Sequence, residues 1–220
     1  MNKKAVVFGA TGLIGEYLVQ ELIKNPEYSS VVLFVRKETS FTNSKTTQII
    51  VDFENLPAHK NEFADADVYC CLGTTIANVN HDKEAFKKVD LYYPLQIAQL
   101  AKENSANQFI VISSMGADAN SKFFYNRVKG ELEAKLKTLQ LNSLQILHPS
   151  LLLGSRKEFR FGERISQIIS PLFTPLLTGQ YKKYRPIYAN DVAKAMIKIA
   201  LQNKKGINIH SSEDLRLIAN

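Results

Sequence analysis

The stretch VVFGATGLIG, Val6 to Gly15, sets three of the chain's ten glycines within seven residues. It follows the end of a short β-branched run, and residues 13–25 carry Ile14, Leu18 and Leu22 on one helical face. Strand, glycine turn and helix in that order have a chemical use. One glycine permits a tight turn, a second lets the backbone approach a pyrophosphate, and a third lets the helix pack close to the strand. The helix start then offers free N–H groups and a positive dipole end to phosphate oxygens. The spacing is G-x-x-G-x-x-G rather than G-x-G-x-x-G, so the strand–turn–helix context carries the reading. It predicts a dinucleotide held by Gly9, Thr11, Gly12, Leu13, Ile14 and Gly15.

Outward from this turn, strand-like and helix-like periods alternate. VVLFVR (31–36), QIIVDF (48–53), DADVYCCLG (65–73), QFIVISS (108–114) and LQILHPS (144–150) read as further strands. One long helix is expected from about Glu84 to Glu103, and another around Tyr125 and Lys129. Strands that are apolar throughout are buried on both faces, as in a parallel sheet covered by helices. The expected fold is α/β, a doubly wound, Rossmann-type parallel sheet forming a single domain over residues 1–220. Ligands of such sheets bind outside the carboxyl ends of the strands. From about Ser155 the rhythm weakens. Residues 155–185, interrupted by Pro171 and Pro175, read as a small C-terminal helical lobe on the substrate side.

The 220 residues are 45% hydrophobic and 22% charged, enough for one substantial core. No apolar run approaches the ~18 residues of a membrane-spanning helix. The basic start, MNKK, meets glycine too soon for a signal peptide's apolar region. The expectation is a soluble, cytoplasmic protein with no membrane partner. Cys70 and Cys71 are the only cysteines. Adjacent in a strand, they fit a reduced compartment, and no further ligand at metal-binding spacing accompanies them. The net charge of +7 admits nucleic acid, an anionic surface or a phosphate-bearing small ligand. YKKYRPIY (181–188) interleaves cations and aromatics as single-strand nucleic-acid platforms do. It reads more simply as a solvated loop entering a strand, so nucleic acid is not the expected partner.

The second strand ends in Arg36 and Lys37, about twenty residues past the glycines. An acid at that place holds the ribose 2′-hydroxyl of NAD, whereas Arg accommodates a 2′-phosphate. From the start of that strand no acid appears until Glu38, so the expected cofactor is NADP(H). Asp52 and Phe53 end the third strand beside the expected adenine, and Leu72 and Gly73 end the fourth, where the backbone can approach the cofactor.

One further spacing has two readings. Tyr125 and Lys129 stand four apart in FFYNRVKGELEAKL (123–136), which puts both on one helical face. Tyr125, Leu132, Leu136 and Leu139 also form an apolar stripe, so packing is one reading and an acid with its electrostatic tuner is the other.

GATGLIG, DVYCCLGTT, SSMGAD, FYNRVKGELE and PSLLLGSRKEFRFGE together resemble the short-chain dehydrogenase/reductase superfamily. They are most similar to its atypical branch, that of the Tat-interacting oxidoreductases with their fungal and bacterial relatives. The resemblance implies a Ser–Tyr–Lys constellation and assigns it to Ser114, Tyr125 and Lys129, with Ser113 the alternative serine. It also implies that Ser150, Leu151 and Leu152 approach the nicotinamide through their backbone and that Arg156 lies near cofactor or substrate. Where many members carry an Asn for a proton relay, this chain has Asp90, and after the sixth strand His148 replaces an Arg. A free phenol ionises near pH ≈ 10, so donating a proton near neutrality requires ~4 kcal/mol of help. A lone ammonium about 4 Å away supplies ~4 kcal/mol at an effective dielectric near 20.

These readings converge on an NADP(H)-dependent oxidoreductase of a small carbonyl or alcohol substrate, with Tyr125 as general acid and base. The alternative is an NADP(H)-binding redox sensor with little turnover.

Overall fold

Alternation along each strand sorts the side chains of this protein into two core layers. In β1 (Lys3–Phe8), Ala5 and Val7 face one side, and Val6 and Phe8 face the other. All four are fully buried. The same division runs through β2 (Tyr28–Val35), β4 (Ala66–Cys70), β5 (Gln108–Ile112) and β6 (Ser143–His148). Helices α1 (Leu13–Lys24), α5 (Ala189–Leu201) and α6 (Ser212–Ala219) cover the first face. Helices α3 (Tyr93–Glu103) and α4 (Phe124–Thr138) cover the second, with a 3-10 segment (Phe53–Phe63). The remaining elements are β3 (Thr46–Ile50), the short α2 (Lys83–Lys87), β9 (Gly206–Ser211) and a two-residue pair, β7 (Leu152–Leu153) with β8 (Ile187–Tyr188).

The computed structural model describes residues 2–154 and 185–220. Its main sheet has the order β3-β2-β1-β4-β5-β6-β9, and every neighbouring pair is parallel. The chain runs outward from β1 to β3 and returns to β4 on the other side of β1. That reversal is the topological switch point, and it opens a crevice at the carboxyl ends of β1 and β4. The doubly wound, Rossmann-type expectation therefore holds. The helical lobe expected over 155–185 falls, except for Arg185, outside the described residues, as does the first half (181–184) of the basic 181–188 stretch.

Two differences from the sequence reading have physical causes. The single helix expected over 84–103 is divided by a π turn, Lys88–Tyr92, between α2 and α3. Pro94, in the first turn of α3, has no N–H to donate to the carbonyl of Asp90, four residues back, so the α-helical ladder cannot close there. Such wide turns recur at functional sites. The sheet also has a seventh strand, β9, from GINIHS, which the sequence reading did not assign. Ile207 and Ile209 remain 52% and 48% exposed, the half-covered pattern of an edge strand, unlike the wholly apolar central runs.

Candidate active site

The glycine turn is built against the end of β4. Gly9 has φ +82°, and a Cβ there would lie 2.7 Å from the carbonyl carbon and oxygen of Cys71. A Cβ on Gly15 would lie 2.0 Å from the Gly9 oxygen, so α1 can begin this close to β1 only with glycine. Gly12 caps α1 at φ −79° and ψ 167°, an ordinary extended conformation. Gly9 and Thr11 open on a cleft of about 430 Å³, walled further by Phe34, Arg36, Lys37, Phe53 and Leu72. Ile14 is nearly fully buried in the core, so its side chain faces away from any ligand. Asp52 is exposed and caps the 3-10 segment by accepting from the Glu54 N–H, while its neighbour Phe53 both lines the cleft and stacks on Tyr93 at 3.8 Å.

Gln48, on β3, is a residue the sequence reading missed. Its Oε1 accepts from the N–H and hydroxyl of Thr39 at 2.8 and 2.9 Å, and its Nε2 donates to the carbonyls of Thr39 and Phe41. It thereby pins the loop that carries Arg36 and Lys37. Alternation marks Gln48 only as a polar strand residue, with no signal of this role.

At the far end of the crevice, Lys129 is almost wholly buried beside Asp90, with Nζ 2.8 Å from Oδ1. The other Asp90 oxygen accepts the Thr74 N–H at 2.8 Å. Burial opposes the Lys129 ammonium, but the charge of Asp90, with smaller contributions from Tyr125 and Cys70, leaves its pKa raised. The lone-cation argument from sequence therefore needs correcting, because Lys129 presents its charge together with a counter-ion. Tyr125, on the same helix, is 42% exposed, and its ring meets Phe86 edge-on at 6.0 Å.

The two serines after β5 differ sharply. Ser113 donates to Glu133 Oε1 at 2.5 Å, and His148 Nε2 meets the same oxygen at 2.7 Å. Ser114 is buried, and its Oγ has no hydrogen-bond partner among the described residues. Burial would raise the Glu133 carboxyl, but hydrogen bonds from His148 and Ser113 and the nearby positive charge of Lys137 outweigh it and leave the pKa lowered. The unfolded carboxyl thus takes up its proton at higher pH than the folded one. The stabilisation is complete above the usual Glu range, near 4.3, and is lost as pH falls through the lowered value. Glu133→Gln should cost about 1.5–3 kcal/mol near neutrality. Urea denaturation should show that gap closing below pH ~4.

Ser150 and Leu151 both make hydrogen bonds beside β8. The Ser150 hydroxyl donates to the Arg185 carbonyl and shares a hydrogen bond with Ser212 at 2.9 Å. The Leu151 carbonyl accepts from Ile187 N–H. That bond lies at the start of the β7–β8 pairing. Arg156 lies outside the described residues. Burial pushes the Cys70 thiol up to about 12 and raises Cys71 further, so neither supplies a thiolate near neutrality. A larger cavity, about 830 Å³, opens at the amino ends of the strands, lined by Lys3, Gln108, Asn203 and Lys205. It lies at the end of the sheet opposite the glycine turn. The buried Asp67 near it is satisfied by Lys3, Tyr28 and Gln108.

A parallel sheet with a glycine turn at its switch point and a cleft walled by backbone and cations defines an NAD(P)-binding protein of the Rossmann type. The sequence profile described as NAD(P)H-binding matches residues 9–145, and the chain belongs to that family. Protein HTATIP2 of Rattus norvegicus is 38% identical over 170 residues, 76% of this chain and 69% of that protein. The mitochondrial protein FMP52 of Candida albicans is 36% identical over 209 residues, covering 92% and 88% of the two chains. The Saccharomyces cerevisiae FMP52 is 30% identical over 220 residues, covering 96% and 94%. Among solved structures, MoeE5 in complex with UDP-glucose and NAD superimposes with TM-score 0.71 at 14% identity, over 97% of this chain and 79% of that one. A UDP-glucose 4-epimerase of Thermotoga maritima gives 0.70 at 17%, over 98% and 81%. These two share the fold. The resemblance to the Tat-interacting branch holds, but the expected cytoplasmic location does not, because several of the relatives are named as mitochondrial. Composition and hydropathy report membrane spans, whereas a cellular address is read by a receptor from a short signal. Among the described residues, no helix is long and apolar enough to cross a membrane.

Proposed function

We propose that the protein is an NADP(H)-dependent oxidoreductase acting on a small carbonyl or alcohol, with Tyr125 exchanging the proton. The observation that carries this reading is the adjacency of Lys129 to the cofactor cleft. Asp90 joins Lys129 to Thr74, two residues past the cleft-lining Leu72. The nicotinamide cofactor, when bound, supplies or accepts the hydride. Tyr125 gives its phenolic proton to the carbonyl oxygen during reduction and takes one back during oxidation. Ser114, whose buried Oγ has no partner, is suited to donate to the same oxygen. Ser113 is tied to Glu133 and supports the strand end instead. Reprotonation of Tyr125 from water is consistent with its partial exposure.

The preference for NADP(H) rests on Arg36 and Lys37, both exposed on the wall of the cleft. A charge-assisted hydrogen bond contributes about 1.5–3 kcal/mol. Arg36→Ala should therefore weaken NADPH binding roughly ten- to a hundredfold and change NADH little. Calorimetric titration of both cofactors into both proteins tests this. Equal wild-type affinity for NADPH and NADH would reject the phosphate-reading role.

A further inference from the structure

Asp90 stands where the chain departs from its superfamily, and its surroundings give it a function of its own. It sits on the π turn created at Pro94. Its side chain is 1% exposed, and that of Lys129 is 4% exposed. One carboxylate oxygen faces Lys129 at 2.8 Å and the other is fixed by Thr74 N–H at 2.8 Å. The carboxylate is thus held on two sides, by the Lys129 ammonium and by the Thr74 N–H.

We infer that Asp90 is a positioning residue that cancels the field of Lys129 at Tyr125, holding the phenol in its protonated, proton-donating state and biasing the site toward carbonyl reduction. The inference rests on the reading of Tyr125 as the proton donor. In the reducing direction the O–H bond of Tyr125 breaks and its proton goes to the carbonyl oxygen. The carbonyl carbon receives hydride from a dihydronicotinamide, leaving an alcohol, an oxidised nicotinamide and a tyrosinate that water reprotonates. A phenol that stays protonated is ready for this step, while oxidation requires it to ionise first. Other charged and titratable groups stand nearby among the described residues. Cys70, on β4, faces Lys129 and is held as a thiol by burial. Lys83 on α2 and Arg127 on α4 lie over the Phe124 ring at 5.6 and 5.9 Å.

The test is the ultraviolet phenolate titration of Tyr125, read as the difference between each protein and its Tyr125→Phe counterpart, without cofactor or substrate. Asp90→Asn keeps the acceptor for Thr74 N–H and removes the charge. A nearby uncompensated charge moves a titration by ~1–3 units, so Tyr125 should ionise at least about one unit lower in D90N than in the wild type. No change would overturn the inference. Should the buried ammonium keep D90N from folding, the double variant D90N/K129M, which buries no charge, replaces it. Ionisation as in the wild type supports cancellation, and ionisation at clearly higher pH shows that Lys129 acts uncancelled and overturns it. Where turnover is found, the pH profile of alcohol oxidation should also move to lower pH in D90N. Because the titration needs no turnover, a protein that shows the shift but reduces no carbonyl refutes the proposed activity and leaves the role of Asp90 standing.

Discussion

Replacing Tyr125 by Phe is expected to lower turnover at least ~100-fold, the usual contribution of a positioned general acid. The substitution removes one oxygen and keeps the ring, so the edge-on contact with Phe86 at 6.0 Å survives. Fold and NADPH affinity should be unchanged, because the phenol stands 42% exposed rather than within the core. Steady-state rates at saturating cofactor, beside circular dichroism and calorimetric titration, check all three statements. Equal rates would return the Tyr125–Lys129 spacing to helix packing and put the redox-sensing alternative first.

Lys129→Met is expected to be the most damaging single change to stability. It leaves Asp90, which is 1% exposed, as a buried carboxylate without its ion partner. Removing one member of a buried pair costs about 3–5 kcal/mol. In a chain of this size that lowers the melting temperature on the order of 10 °C. Adding Asp90→Asn to Lys129→Met should recover much of the stability, because no buried charge is then left unpaired. Differential scanning calorimetry of the single and double variants gives the comparison. A loss under ~1 kcal/mol in the single variant would mean that the pair behaves as an exposed one.

The central strands were legible because burial on both faces leaves a plain mark, as in KAVVF, VVLFV and DVYC. The glycine turn was equally plain, since Gly9 and Gly15 are positions where a Cβ collides with backbone. The edge was harder. GINIHS alternates in exposure and pairs on one side only, with β6, so its apolar signal is half that of a central strand. The break in the long helix was encoded by Pro94, but the sequence alone does not say whether a proline starts, kinks or widens a helix. The choice between Ser113 and Ser114 was invisible for another reason. It depends on Ser113 and His148, distant in sequence, converging on one carboxylate oxygen of Glu133. Asp90 was noticed as an oddity at the relay position, and only its 2.8 Å approach to Lys129 gives it a role. The lone-ammonium estimate failed there, because spacing along a helix shows which side chains share a face and not which charges arrive from elsewhere.

The most direct test of the proposed hydride transfer uses NADPH carrying deuterium at the transferable C4 position. Wild-type protein, a panel of small aldehydes and ketones, and mass spectrometry of the products are the whole experiment. The account predicts an alcohol bearing one deuterium at the former carbonyl carbon, formed at least ~100-fold faster than by Tyr125→Phe. Deuterium absent from every product, or appearing equally fast with both proteins, would contradict it.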